Sequence, residues 1–335
     1  MPTFAAERFG GKRDLRPAVL LSKAKKGGMM RYLDPKNDLT FKKVFGEHPD
    51  LVVSFLNAML PFESEEEEIQ TVEYLTPELV PENPLGKNSI VDVCCQDGRG
   101  RQFIVEMQML WTSAYKQRVL FNASKAYVRQ MEKGRTYDFL QPVYSLSLLN
   151  DTFSEGEEYY HDFRIVEMEG THEVIEGLRF VFVELPKFQA KTFGQKRMQV
   201  LWLRYLTEIN EKTREVSPDL LSEQAIRKAV EQLEESAFSE EQLYMYDTYW
   251  DAVSTARTMI SCARRESMAK GMKEGMEEGM KEGMKEGMKE GRKEGRKEGM
   301  REERVRTARK LKEMGMDADF IMQVTGLGAE EQASF

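Results

Sequence analysis

From Gly271 to Gly299 glycine returns at every fourth position, mostly as Gly-Met-Lys-Glu, and this tract limits the architecture more than any other feature of the chain. Four residues turn an α-helix by about 400°, so each glycine advances about 40° and the series winds through about 280°. No fixed apolar seam results. Interior glycines cost up to about 1 kcal/mol each against alanine, whereas Glu/Lys pairs such as Glu278/Lys281 and Glu282/Lys285 return about 0.2–0.5 kcal/mol. The spacing therefore predicts a frayed helix or coil that acts as a flexible spacer. A self-assembled rod is the strained alternative, since holding the glycines on one face needs about four residues per turn. Any core must come from the remainder of the 335 residues, a length that suits about two domains.

Charge and composition remove several function classes. With 49 Lys+Arg against 57 Asp+Glu the net charge is -8, unlike the basic surface of a non-specific nucleic-acid coat, so any phosphate contact needs a local patch. Three cysteines, two of them adjacent at Cys94 and Cys95, cannot make a multi-bridge framework. His48, His161 and His172 are scattered, with no CxxC or HExxH, which argues against a zinc site and leaves oxygen ligands for any metal. No apolar run reaches the length of a signal-peptide core or a membrane span. The expected location is cytoplasmic, without a membrane. Residues 1–30 read as a disordered basic tail, and Met29-Met30 as a possible alternative start of translation.

Patterned structure begins at Asp38, which can cap a helix whose Phe41, Val44 and Phe45 fall at i, i+3, i+4 before Gly46 and Pro49 stop it. A second helix follows over about Pro49 to Leu60. The acidic run Glu63 to Glu68 and Pro77, Pro81 and Pro84 predict a surface loop. Ser89 to Gln96 and Arg101 to Met109 are β-rich runs flanking Asp97-Gly-Arg-Gly100, a strong hairpin signal. A helix then runs from a Ser113 cap to a Gly134 C-cap, with Val119, Ala123 and Tyr127 on one face. Val143 to Leu149, Phe163 to Met168 and Arg179 to Leu185 predict further strands, and after Gln195 the pattern is helical to about Arg265 with a break at Ser217-Pro218-Asp219. The fold class is α/β with a mixed sheet. The expected divisions are a core at 31–190, a helical extension at 191–267, the tetrad tract at 268–303 and a small helical module at 304–335. That last module reads equally as a helix-turn-helix or a dimerising hairpin.

The hairpin carries the candidate chemistry. Glu106 and Gln108 lie at i and i+2, hence on one face. Asp92 joins that face, directly opposite Glu106, if paired residue numbers sum to 198. Such a register needs an odd loop, for example Gly98-Arg99-Gly100, with glycine at the positive-φ position. Carboxylates about 4.5–5.5 Å apart at Cβ repel unless a cation lies between them, and hard oxygen ligands suit Mg²⁺ or Mn²⁺. The plain alternative is the solvated side of an amphipathic hairpin. Against it, Ile90, Val91, Val93, Phe103, Ile104, Val105, Met107 and Met109 make both faces apolar, as in a buried central strand where a charge needs a partner.

Asp92, thirteen intervening residues, then Glu106-Met-Gln108, following Asp38-Leu-Thr-Phe-Lys-Lys-Val-Phe45, resembles the PD-(D/E)XK nuclease superfamily, specifically its recombination-promoting nuclease/putative transposase (Rpn) group. Tyr115-Lys-Gln-Arg118, Tyr127, Gly134, Tyr137, Val183-Glu-Leu-Pro-Lys-Phe188, the Gly-rich tract and the Gly326-Leu-Gly ending are similar too, so the resemblance spans about residues 30 to 330. It implies a restriction-endonuclease-like mixed central sheet flanked by helices, with a helical C-terminal extension. It makes Asp92 and Glu106 metal ligands, with the Met107 carbonyl as a third candidate. Gln108 stands where many superfamily members carry lysine. Glutamine supplies no charge or titrating amine, but its amide can orient water or bind phosphate.

The resulting expectation is a Mg²⁺- or Mn²⁺-dependent DNA endonuclease promoting recombination or transposition, with Asp92, Glu106 and Gln108 catalytic. Lys42, Lys116 and Arg118 would hold DNA, with Lys125 and Arg129 nearby, and Asp38 is either a helix cap or a further acidic group. The alternative is a catalytically weak, nuclease-derived DNA- or protein-binding module that self-associates through the repeat. The expected partners are DNA and another copy of the chain, with no small-molecule cofactor.

Overall fold

The computed structural model describes residues 31–79, 89–131, 134, 136–190 and 197–334. The basic tail, Met29-Met30, Pro81 and Pro84 lie outside the described residues. The chain divides into two compact units, one ending at Ser254 and one starting at Thr255.

The first unit opens with α1 (Asp38–Glu47) and α2 (Pro49–Met59), then β1 (Val72–Tyr74), β2 (Glu78–Leu79), β3 (Ser89–Ile90), β4 (Val93–Asp97) and β5 (Gln102–Gln108). After α3 (Tyr115–Val128) come β6 (Val143–Leu149), β7 (Tyr160–Val166) and β8 (Val174–Glu184), then α4 (Arg197–Glu208), α5 (Pro218–Leu221) and α6 (Gln224–Glu231). The long α7 (Glu240–Glu313) follows, and α8 (Ala318–Thr325) and α9 (Ala329–Gln332) end the chain. Six strands form one mixed sheet in the order β1-β4-β5-β6-β8-β7. β5, β6 and β8 run parallel, while β4 and β7 pair antiparallel to β5 and β8.

Both faces of this sheet are covered, as the doubly apolar strands require. Val93, Cys95, Phe103, Val105 and Met107 join the main core with Phe41, Phe45, Phe55 and Trp202. Cys94 and Ile104, pointing the other way, pack with Ala123 and Ala126 of α3. Trp202 is fully buried, with its ring 5.5 Å from Phe45 and 5.4 Å from Phe55.

The hairpin turn has the predicted odd loop. Asp97 N donates to Arg101 O at 3.0 Å and Gly100 N to Asp97 O at 3.0 Å, leaving 98–100 as a three-residue loop with Gly100 at φ 85. The register is Val93↔Val105, Cys94↔Ile104 and Cys95↔Phe103, each pair summing to 198.

Several local expectations are corrected. Asn37, not Asp38, caps α1: its buried side chain accepts from Leu39 N at 3.0 Å and donates to Tyr246 O at 3.2 Å, a double task that a carboxylate cannot perform. Ser113 does not cap α3, because a backbone turn from Tyr115 N to Thr112 O (2.9 Å) occupies the entry. Gly134 is not its C-cap, since the helix ends at Val128 in turns closed by Gln130 N and Met131 N. The expected break at Ser217-Pro218-Asp219 is present: α4 ends at Glu208, and Pro218 opens α5 after it, as proline at the first helical position allows.

The tetrad tract is helical throughout α7, not a coil spacer, and none of its glycines has positive φ. The cost of glycine is the same, but good helix formers flank the tract on both sides, so no new nucleus is needed and each residue has only to propagate. Lys270–Glu274 (3.8 Å) and Lys273–Glu277 (4.0 Å) add i,i+4 pairs. Val305 to Leu311 belong to the end of this helix. Ala308 there is buried with Ile321 of α8 and Leu327, after turns at Gly315 (φ 82) and Gly326 (φ 73). Among the described residues no helix is long and apolar enough to cross a membrane.

Candidate functional site

One step beyond Val93↔Val105 the register sets Asp92 alongside Glu106 at the mouth of the hairpin. Asp92 precedes β4 at a bend, and its Oδ2 accepts from Met107 N at 2.7 Å. That bond ties the carboxylate to the neighbouring strand. Glu106 lies within β5 and is 5% exposed. The solvated-hairpin reading therefore does not describe Glu106.

A polar layer from α3 surrounds Glu106. Tyr115 donates its hydroxyl to Glu106 Oε2 at 3.2 Å, and Asn122 donates Nδ2 to Oε1 at 3.0 Å. Arg118 Nη2 stands 3.8 Å from Glu106 Oε2 and donates to Gln108 Oε1 at 2.6 Å. Gln108 Nε2 in turn donates to Leu110 O at 2.6 Å. Tyr115, Arg118 and Asn122 are spaced i, i+3, i+7, one stripe of α3 facing the sheet. From the sequence Asn122 had no place and Tyr115 one only within the segment that carries the resemblance, although that spacing alongside buried Val119 and Ala123 is a signal that could have assigned both to the site.

The other candidates divide. Lys42 pairs with Asp38 at 2.7 Å, and both act electrostatically on Asp92, so α1 brings an acid and a base toward the site. Tyr249 of α7 feels the charges of Asp38 and Asp92. Lys116 is turned elsewhere, its ammonium 4.3 Å from the Phe153 ring centre. Lys125 Nζ donates to Leu79 O at 2.9 Å, and Arg129 to Glu78 O at 3.3 Å. Cys94 and Cys95 are buried free thiols whose pKa values burial raises, which makes them poor nucleophiles.

Burial pushes the Asp92 carboxyl up to about 6, and the charge of Glu106 adds to the shift while the Met107 N–H opposes it. Burial also raises Glu106, against Arg118, Tyr115 and Asn122. Two carboxyls whose protonation the site favours are a place that a cation would discharge. Among the described residues no group of three His, Cys, Asp or Glu forms a metal cluster. Mg²⁺ fits such a donor set, since it commonly takes one or two carboxylates and completes its octahedron with water and phosphate.

A family model described as PD-(D/E)XK nuclease family transposase matches residues 35–262, which include the whole sheet and every residue of this site. No curated protein and no solved structure matches the chain.

Proposed function

We propose that this chain, which belongs to the PD-(D/E)XK nuclease family of transposases, is a metal-dependent DNA endonuclease with Asp92 and Glu106 as ligands of Mg²⁺ or Mn²⁺. When bound, such an ion supplies charge to a phosphoryl oxygen and brings the pKa of a water molecule toward neutrality. The protein's own groups do the rest. The Met107 N–H holds Asp92, and Tyr115 and Asn122 hold Glu106, so both carboxylates are fixed before DNA arrives. The Gln108 amide orients water or phosphate. Arg118 supplies the positive charge that glutamine lacks, in a fork that suits a phosphate. Lys42 and Lys116 meet the DNA backbone to either side.

The observation that carries this reading is the register of β4 on β5, which brings Asp92 alongside the buried Glu106, beside the buried apolar residues Val93, Ile104, Val105 and Met107. The test is plasmid nicking by wild type, Asp92→Ala and Glu106→Ala, each with Mg²⁺ and with EDTA, at low salt because phosphate binding weakens steeply with salt. Metal-dependent nicking that disappears in both variants is expected. Equal nicking by all three proteins would refute the assignment.

A second reading, a weak or inactive nuclease-derived module that binds DNA or protein and self-associates through the repeat, draws support from Gln108. Its amide is engaged at both ends, by Arg118 and by Leu110 O. Wild type that binds DNA but nicks nothing would favour this reading.

A further inference from the structure

On the same face of the sheet as Glu106 lies a cleft of about 180 Å³, lined by Lys116 and Leu120 of α3, Phe163 of β7, and Phe180 and Phe182 of β8. It is small beside the about 300–1,000 Å³ of sites for drug-sized ligands, so it has room for one planar ring system. Its walls are apolar yet open to water: Phe163 is 42% exposed and Leu120 49%. Phe163 stands edge-on to Phe182 at 5.6 Å. The single charge among the lining residues is Lys116, whose ammonium lies 4.3 Å from the Phe153 ring centre and 5.3 Å from that of Phe163.

The position relative to the carboxylates follows from the sheet. Glu106 pairs with Ser147, and Ser147 with Phe182, so Phe182 is two strand spacings, roughly 10 Å, from Glu106. Tyr115 bridges the gap, its hydroxyl on Glu106 and its ring 6.3 Å from that of Phe182.

We propose that this cleft takes one unstacked nucleobase of a strand whose phosphate lies at Asp92 and Glu106, with Lys116 on the adjoining phosphate. The proposal rests on the nuclease reading and adds a substrate class to it, single-stranded or locally opened DNA. Aromatic walls accept the face of any base, and the lysine matches the anionic backbone. A second copy of the chain is the poorer occupant, since a stable interface covers about 800 Å² on each partner and the cleft receives a single ring.

The test is fluorescence anisotropy of the full-length protein with a short labelled single strand and its duplex, at low salt in EDTA so that nothing is cut. An abasic site is walked along the strand. Wild type is expected to prefer the single strand and to lose about 5- to 150-fold in affinity at one abasic position. Phe163→Ala, on the edge strand, should already have lost that factor on the intact strand and show no further loss at the abasic position, while Phe163→Trp retains it. A flat abasic walk with wild type overturns the proposal without reliance on any variant. It is also overturned if Phe163→Ala, with an unchanged circular dichroism spectrum, keeps the full abasic penalty, or if it dissolves a dimer while binding DNA normally. Nicking that depends on Asp92, found together with a flat walk, would remove the base cleft and leave the nuclease. Wild type that binds no DNA would remove both.

Discussion

Removing the charge of Asp92 while keeping its shape should make the metal-free protein more stable at alkaline pH. Burial raises this carboxyl from 3.8 to about 6, so folding favours the protonated form. At about 1.36 kcal/mol per pK unit the shift amounts to about 3 kcal/mol. Because the folded-state value is the higher one, this stability is fully present below about pH 4 and is lost as the pH rises through about 6. Asp92→Asn cannot titrate, and its amide oxygen can still accept from Met107 N. In EDTA the variant should therefore match wild type near pH 4 and exceed it by about 3 kcal/mol at pH 8. Urea unfolding followed by tryptophan fluorescence between pH 4 and 8 measures the difference, with the carboxylates remote from Asp92 cancelling between the two proteins. Mg²⁺ at a hundred times its dissociation constant should then add about 2.7 kcal/mol to wild type and nothing to the variant. A stability difference that does not change with pH, or a variant weaker than wild type at pH 8, would refute the reasoning.

Arg118→Met removes the guanidinium 2.6 Å from Gln108 and 3.8 Å from Glu106. Nicking should fall by about 10²–10³, the usual loss for one preorganised donor, and Arg118→Lys should recover only part of it; an unchanged rate in a nicking time course would exclude Arg118 from the chemistry. Gly100→Ala forces a side chain to φ 85 with its Cβ 3.1 Å from Gln141 Cγ. It should cost about 1–2 kcal/mol in urea unfolding, and an unchanged midpoint would contradict the turn. Alanine at every tract glycine from Gly271 to Gly299 meets no atom within 4 Å, and each replacement gains up to about 1 kcal/mol of helix propensity. The far-UV helical signal should then melt at a higher temperature, and an unchanged or lower melt would argue against a continuous helix.

The parts of the fold legible in the sequence were those fixed by short-range geometry. The three-residue loop follows from two glycines around Arg99, and the register sum of 198 follows from that loop. β6 has its expected bounds, because Val143 to Leu149 is a buried run with apolar residues on both faces. Partners brought in from far along the chain were not legible. Asn37 takes the cap from Asp38 because Tyr246, some two hundred residues on, offers its carbonyl to the buried amide. The helical state of the tract depended on its flanks and not on its own composition. In the site, the acidic pair could be read from strand arithmetic, but Lys116 could not be separated from Arg118 by charge. Their helix positions send one to the aromatic ring of Phe153 and the other to Glu106 and Gln108.

Asp92, Glu106, Gln108, Tyr115, Arg118 and Asn122 all fall in residues 92–122, about a tenth of the chain, on one hairpin and the helix after it. Closing such short loops costs little entropy, and contacts near in sequence form early in folding. The carboxylate pair can thus come together before α4, with Trp202, arrives to seal the opposite face of the sheet. Mutations in α4 or α6 should then act mainly by speeding unfolding, whereas changes within 92–122 should slow the folding step itself.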